Sequence, residues 1–176
     1  GIHKTLDNRD PNTEWISLNE GYNTTQLYSV GIDHATENAD LVGGFQDNGT
    51  NYSVSYDTKS QWSEVLRADG FSCGIADSSK FIITSQNSSY APGIKFYKTV
   101  LDKNGQMKKY ARIDPIGGED FIWSTPFVLD PNNNNRMYVA GGKSVWRNND
   151  LSKVAMTDFP VSGWKDVKPL DSISTE

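Results

Sequence analysis

The sequence Gln-Trp-Ser-Glu-Val stands at residues 61–65, and it returns in variant form three times along the chain. The variants are Glu-Trp-Ile-Ser-Leu at 14–18, Lys-Tyr-Ala-Arg-Ile at 109–113 and Gly-Trp-Lys-Asp-Val at 163–167. The aromatic residues Trp15, Trp62, Tyr110 and Trp164 are therefore 47, 48 and 54 positions apart. A repeat of about 40–50 residues filled with short strands is typical of propeller blades. The chain is accordingly predicted to be an all-β protein built from β-propeller blades.

Three further strand-like pieces accompany this motif in a constant order: a strand ending in Asp, an apolar run, and an alternating strand. Alternation of period two, bounded by Asn, Asp, Gly and Pro, indicates half-buried strands. Four such strands form one antiparallel blade, which buries its faces only against neighbouring blades. We expect one propeller domain over 1–170 and a polar tail at 171–176. The expected blade segments are 1–18, 24–66, 70–114 and 121–168.

The number of blades is small for a closed ring, since closed propellers use about 4–8 of them. Segment 1–18 supplies only the outer part of a blade, so the sequence predicts a partial propeller of about three to four blades. Unpaired strand edges invite association with other strands. We therefore expect the partner to be the remaining blades of a longer polypeptide or another protein chain.

Composition argues against several other classes of protein. The net charge is −5 and the basic residues are scattered, so no nucleic-acid partner is expected. No apolar run reaches the ~18 residues of a membrane span, so no membrane insertion is expected. Cys73 is interpreted as a small buried residue. His3 and His34 lack zinc-site spacing and no phosphate-binding loop is present, so neither a metal nor a cofactor is predicted.

Three stretches carry a resemblance to a known family. The first is Gly-Gly-Phe-Gln-Asp-Asn-Gly-Thr at 43–50, and the second is Ala-Asp-Gly-Phe at 68–71. The third, Pro-Phe-Val-Leu-Asp-Pro-Asn at 126–132, has the same family pattern further along the chain. This succession resembles the Asp-box (BNR-type) repeat propellers, which include sortilin-like receptors and xyloglucan-cleaving glycoside hydrolases. The resemblance covers nearly the whole chain and implies the propeller fold. It does not imply one activity, because a propeller scaffold carries many unrelated functions.

The Asp-box of that family, Ser/Thr-x-Asp-x-Gly-x-Thr-Trp, is degraded in this chain. The nearest match, residues 55–62, keeps the Ser, Asp and Trp but has Lys59 where Gly is expected. The family places the box in the turn between third and fourth strands, where its Asp accepts backbone N–H groups and its Trp packs between blades. Six residues are therefore expected to be structural: Asp7, Trp15, Asp57, Trp62, Asp150 and Trp164.

Four residues are candidates for ligand binding. Asn48-Gly49 predicts a tight hairpin turn that Asp47 caps with its carboxylate, and Gln46 and Asp47 could project into the mouth of the central channel. Asp69 precedes an innermost strand. Trp123 falls outside the repeated core positions, where an exposed ring could stack on a sugar, as could Tyr56 and Tyr90.

The alternative to a binding module is a segment of a glycoside hydrolase resembling the xyloglucan-active propellers. Such an enzyme needs two carboxylates separated by about 5–5.5 Å for retention or about 6.5–9.5 Å for inversion. The carboxylates available for such a pair are Asp47, Asp69, Glu119 and Asp120. No counterpart of the catalytic aspartates of those relatives is found, so no catalytic residue is assigned.

The sequence therefore favours a non-enzymatic, secreted or cell-surface bacterial module that binds carbohydrate or protein or serves a structural role. Four asparagines open an Asn-x-Ser/Thr triplet, which matters only if the source glycosylates such sites. These are Asn23, Asn48, Asn51 and Asn87.

Overall fold

The computed structural model describes residues 1–21, 25–33, 40–57, 59–77, 81–88, 91–157 and 162–169. Over these residues the chain forms four antiparallel sheets and one short 3₁₀ turn at Leu151–Lys153, with no α-helix. The prediction of an all-β protein made of four-stranded blades is confirmed. No helix in the described part of the chain is long and apolar enough to cross a membrane.

Three of the sheets have four strands in meander order. The first blade contains β3 (Ser29–Ile32), β4 (Leu41–Phe45), β5 (Gly49–Ser53) and β6 (Ser63–Leu66). The second blade contains β7 (Asp69–Ala76), β8 (Phe81–Ser88), β9 (Ala91–Leu101) and β10 (Met107–Arg112). The third blade contains β11 (Phe127–Asp130), β12 (Asn133–Gly141), β13 (Ser144–Asn148) and β14 (Trp164–Pro169). The remaining sheet is a hairpin of β1 (His3–Lys4) and β2 (Ile16–Ser17), called the N-terminal hairpin below.

The second blade is buried on both faces. Phe81, Ile82 and Ile83 follow one another along β8 and are at most 4 % exposed. Successive side chains of a strand point to opposite faces, so a continuous apolar run requires cover on both sides. That cover consists of the first blade on one face and the third blade on the other.

Two apolar clusters join the blades. The smaller cluster joins the first and second blades and contains Val42, Tyr52, Val65, Ile75 and Ile82. The larger cluster joins the second and third blades, and its buried members are Phe71, Ala76, Phe81, Ile83, Ile94, Phe96, Ile113, Met137, Val139, Leu151 and Val154. The second blade thus contributes to both clusters.

Polar groups also join the second and third blades. The buried Lys98 on β9 donates from Nζ to the carbonyl of Leu151 at 2.7 Å and to that of Val154 at 3.3 Å. Burial lowers the pKa of this ammonium group below its usual value. Trp164 on β14 donates its indole N–H to the carbonyl of Ile113 at 2.7 Å. Both contacts tie the outer part of the third blade, β14 and the segment before it, to the second blade.

The connections between strands alternate between two ends of the blades because consecutive strands run antiparallel. The β4–β5 turn, the link from β6 to β7 and the segment 113–126 before β11 lie at one end, called the upper end below. The links from third to fourth strands lie at the opposite, lower end. The candidate ligand residues are at the upper end, and the Asp-box residues are at the lower end.

Candidate functional site

The β4–β5 turn is held by a carboxylate from the next blade. The backbone N–H of Asp47 donates to Oδ1 of Asp69 at 2.8 Å. β4 ends at Phe45 and β5 begins at Gly49, so the turn spans residues 46–48, and positive φ occurs at Asp47 (62°) and Gly49 (71°). The expected tight Asn48-Gly49 turn was therefore wrong in register. Asp69, not Asp47, supplies the carboxylate that accepts the turn N–H, because the start of β7 lies against this turn.

Gln46 and Trp123 meet through a residue that the sequence analysis did not select, Tyr28. The Tyr28 hydroxyl donates to Oε1 of Gln46 at 2.9 Å. Its ring lies edge-on to Trp123 at 6.1 Å and to Phe71 at 5.1 Å between centroids, and the rings of Phe71 and Trp123 are 4.7 Å apart. Tyr28 and Trp123 remain 45 % and 48 % exposed, so one part of each ring is packed and another part faces solvent.

A polar cavity lies beside this cluster, and we call it the turn cavity. Its volume is about 320 Å³. It is lined by Thr25, Gln26, Tyr28, Gln46, Asp47 and Asn48. The lining offers hydroxyl, amide and carboxylate groups, so it provides both hydrogen-bond donors and acceptors. Trp123 reaches this site through its contact with Tyr28, and Asp69 reaches it through its bond to Asp47.

The other two carboxylates considered for catalysis lie against a different turn. The carbonyl of Asp120, a residue with a φ of 53°, accepts the backbone N–H of Gly142 at 3.3 Å. Glu119 precedes it in the same segment, next to the β12–β13 turn. Asp47 and Asp69 are therefore brought together at the first blade, whereas Glu119 and Asp120 lie by the third.

The aspartates at the lower end accept hydrogen bonds within their own turns. Asp7 accepts the N–H of Arg9 at 2.9 Å, and Asp57 accepts the N–H of Lys59 at 2.9 Å. Asp150 accepts the N–H of Ser152 at 3.2 Å. Each lies between the third and fourth strands of its sheet, or between the two strands of the N-terminal hairpin, which is the position that the resemblance implied.

A fourth aspartate in this position was missed. Asp102, between β9 and β10, accepts the N–H groups of Asn104 at 2.8 Å and Gln106 at 3.0 Å. These two hydrogen bonds, of which the one from Gln106 has the larger effect, hold the pKa of the Asp102 carboxyl below its usual value. The available signal was its spacing, since Asp102 lies eight residues before Tyr110, as Asp7 lies eight residues before Trp15.

The three tryptophans of the repeated motif have different surroundings. Trp164 packs against the larger apolar cluster and is tied to the second blade. Trp62 is 38 % exposed and lies edge-on to Phe45 of its own blade at 6.3 Å. Trp15 is 64 % exposed on the N-terminal hairpin.

A larger groove of about 750 Å³ runs along the innermost strands β3, β7 and β11. Its exposed apolar side chains are Val30, Ile32 and Val128. Cys73 also lines it, with Sγ 3.1 Å from Oγ of Ser29. Burial raises the pKa of the Cys73 thiol, which favours the neutral form of the side chain.

In the described part of the chain, no group of three or more His, Cys, Asp or Glu side chains is arranged to hold a metal ion. Tyr56 is 67 % exposed in the link between β5 and β6, at the lower end. His34, Tyr90 and Asn23 lie outside the described residues.

No family model and no curated protein matches this chain. Among solved structures it is similar to the holo form of the pyranose dehydrogenase PQQ domain from Coprinopsis cinerea, with a TM-score of 0.49 and 8 % sequence identity. The match covers 81 % of this chain and 43 % of that one, so this chain spans less than half of that protein's length. A similarity at this level says nothing about the ligand of the turn cavity.

Proposed function

We propose that this chain is a non-enzymatic propeller module of the Asp-box type that binds a glycan at the turn cavity. The observation that carries the proposal is a polar cavity of about 320 Å³ whose lining residue Tyr28 bonds Gln46 and lies edge-on to Trp123. Binding sites of this size combine aromatic surface with a few placed polar groups. A secreted or cell-surface location is part of the proposal, because a module that binds glycans outside the cell must itself be exposed there.

The rings would supply the apolar part of the contact. About half of the Trp123 surface is free to meet a ligand, since 48 % of it is exposed. The packed part of its ring contacts Phe71 and Tyr28, which fixes the orientation of the indole before any ligand arrives. A preoriented ring loses little conformational freedom on binding, so more of the contact energy remains for affinity.

The polar lining would supply the hydroxyl contacts. Oε1 of Gln46 accepts from Tyr28, so the amide nitrogen is the group that Gln46 offers to a ligand. Asp69 acts as a positioning residue: its bond to the Asp47 N–H holds the turn that carries Gln46, Asp47 and Asn48. The hydroxyl groups of a glycan both donate and accept hydrogen bonds, so they can pair with the donors and with the acceptors of this lining.

The four Asp-bearing turns support the finer assignment to the Asp-box type. Asp7, Asp57, Asp102 and Asp150 occupy the same position in their sheets and make the same kind of backbone bond. They are structural and lie at the end of the blades opposite the turn cavity. The proposal therefore separates a supporting end from a binding end.

The proposal is tested by titrating the protein with neutral oligosaccharides of plant, fungal and bacterial type in a glycan array, followed by calorimetry on any ligand found. We expect Trp123→Ala to weaken binding about tenfold or more, which corresponds to about 1.4 kcal/mol. Gln46→Ala should weaken it to a similar degree. Trp123→Phe, which keeps a ring against Phe71, should retain most of the affinity.

Trp15→Ala is the matched control, because Trp15 is a more exposed tryptophan at 64 % and lies on the N-terminal hairpin. It should leave glycan affinity unchanged. The proposal fails if no glycan binds, or if Trp15→Ala and Trp123→Ala reduce affinity equally while both proteins keep the wild-type circular dichroism spectrum.

A further inference from the structure

The N-terminal hairpin corresponds to the two outer strands of a blade. Lys4 pairs with Ile16, the residue after Trp15, just as Tyr52 pairs with Ser63, the residue after Trp62. The turn between β1 and β2 carries Asp7, in the position of Asp57 between β5 and β6. β1 is thus the counterpart of the third strands β5, β9 and β13, and β2 is the counterpart of the fourth strands β6, β10 and β14.

Every other third strand has a neighbour on each side. The positions that correspond to His3 are Asn51, Tyr97 and Trp146. Each of them pairs with a residue of the fourth strand, as His3 pairs with Ser17 of β2. On their other edge the same three residues pair with Gly43, Thr84 and Val139 of the second strands. In the described part of the chain, β1 pairs with β2 alone.

We call the edge of β1 that does not face β2 the open edge, and the backbone N–H and C=O groups of His3 point to it. The carbonyl of Ile2 accepts the N–H of Leu18 at 2.9 Å, so Ile2 faces β2. Residues of an antiparallel strand alternate between facing one neighbour and facing the other. The N–H and C=O of the next residue, His3, are therefore the pair that a strand on the open edge would meet.

Apolar side chains on the hairpin remain uncovered. Ile2, Ile16 and Leu18 are 59 %, 42 % and 48 % exposed. By the alternation of β1 and β2, these three side chains share one face of the hairpin. An isolated two-stranded sheet is at best marginally stable in water, and further strands are what give such a sheet a buried face.

We infer that β1 takes up, on its open edge, an antiparallel pair of strands that corresponds to β3–β4. The pair comes from a polypeptide segment other than the three blades. The second strands β4, β8 and β12 are already paired with β5, β9 and β13 along the edge that β1 would need. A second copy of the folded blades therefore cannot supply it. Main-chain bonds provide the affinity in such strand addition, and the side chains that meet Ile2 and Ile16 provide the selectivity.

The incoming strand next to β1 is expected to resemble the second strands of the blades. These strands carry runs such as Leu-Val-Gly-Gly-Phe in β4, in which Val42, Gly43, Gly44 and Phe45 are buried. The partner is thus a hairpin whose second strand contains an uncharged apolar run, as β4, β8 and β12 do. This composition lets the strand cover the apolar face of the N-terminal hairpin without burying an unpaired charge.

The test uses a fluorescent synthetic peptide with the sequence of residues 25–45 as the probe, because that segment is the β3–β4 pair of this chain. Binding to the protein is followed by anisotropy, and amide exchange at His3 is followed by NMR. We expect saturable binding and slower exchange of the His3 amide. His3→Pro removes the N–H on the open edge and should weaken binding about tenfold.

His3→Ala is the matched control and should bind like the wild type, because it keeps the backbone N–H. A second control is a peptide with the sequence of residues 49–66, the β5–β6 pair, which should bind at least about tenfold more weakly. The inference is overturned if the first peptide shows no saturable binding up to about 1 mM. Equal binding to the Pro and Ala variants, or an unprotected His3 amide in the complex, would overturn it as well.

Discussion

Asp150 is the most heavily hydrogen-bonded of the turn aspartates. It accepts from Nζ of Lys153 at 2.8 Å, from Nδ2 of Asn135 at 2.7 Å and from the hydroxyl of Ser152 at 2.5 Å, besides the Ser152 N–H. The bond from Lys153, followed by that from Ser152, holds the pKa of this carboxyl well below its usual range. The ionised carboxylate thus fixes the start of the 3₁₀ turn to β12.

This lowered pKa predicts a pH-dependent contribution to stability. A carboxyl whose pKa is lower in the folded protein stabilises the fold above its unfolded pKa of about 3.9. That contribution is lost as the pH falls through the folded pKa. We expect Asp150→Asn to lower the free energy of unfolding at pH 6, and the difference from wild type should shrink as the pH approaches about 2. Urea denaturation at pH 6, 4, 3 and about 2 measures this difference.

Glu14→Gln is the control for net charge, because Glu14 is exposed in the link between β1 and β2. Its effect on the free energy of unfolding should be small and should not reproduce the pH trend of Asp150→Asn. A difference between Asp150→Asn and wild type that stays constant from pH 6 to about 2 would contradict the assignment.

Sequence patterns revealed the residues whose roles are local. The bonds of Asp7, Asp57 and Asp150 to the following backbone depend on two or three neighbouring positions, so a short motif reveals them. Tyr28 was missed as a site residue because its role depends on Gln46 and Trp123, which are distant in sequence. Its place in a regular strand motif gave no sign of that role.

At the scale of elements, the contact between β4 and β7 depends on a residue without a side chain. A Cβ atom added at Gly44 would lie 1.9 Å from the carbonyl oxygen of Phe71. No real side chain fits at that distance, and the obstacle is backbone in a buried strand. The two strands can therefore approach closely enough for the first blade to cover the second only while position 44 is glycine.

Gly44→Ala should accordingly lower the free energy of unfolding by about 3 kcal/mol, since either β4 or β7 must move. Chemical denaturation followed by tryptophan fluorescence measures the loss. The comparison variant is Gly21→Ala, where the added Cβ meets nothing within 4 Å but φ is +73°. Strain alone should cost about 1 kcal/mol there. Equal losses for the two variants would mean that the close approach of β4 and β7 does not limit stability.

Strand alternation predicted these elements well, but the turns less well. Period-two patterns and apolar runs depend on burial of each strand, so they predicted the four-stranded antiparallel blades that the structure has. The register of the β4–β5 turn was wrong because it is set by Asp69, which belongs to the following blade. Local turn propensity at Asn48-Gly49 could not include that contact.

For the whole molecule, the distribution of buried apolar residues is uneven. The second blade contributes to both apolar clusters, and the third blade shares the larger one. On the N-terminal hairpin, by contrast, the side chains of Ile2, Trp15, Ile16 and Leu18 are all more than 40 % exposed. Local stability follows the density of buried contacts, so the parts of this chain should open with different free energies.

Hydrogen exchange followed by mass spectrometry should therefore rank the sheets. We expect amides of β1 and β2 to exchange at least about 100-fold faster than those of β8, whose opening should require nearly global unfolding. Met137 is fully buried in the larger cluster, so Met137→Ala should cost about 2–5 kcal/mol. Because that cluster is shared, the variant should speed exchange in β8 and β12 together and leave the hairpin unchanged. Acceleration confined to β12 would show that the second and third blades unfold independently, and a hairpin as protected as β8 would show that it is packed as firmly as a complete blade.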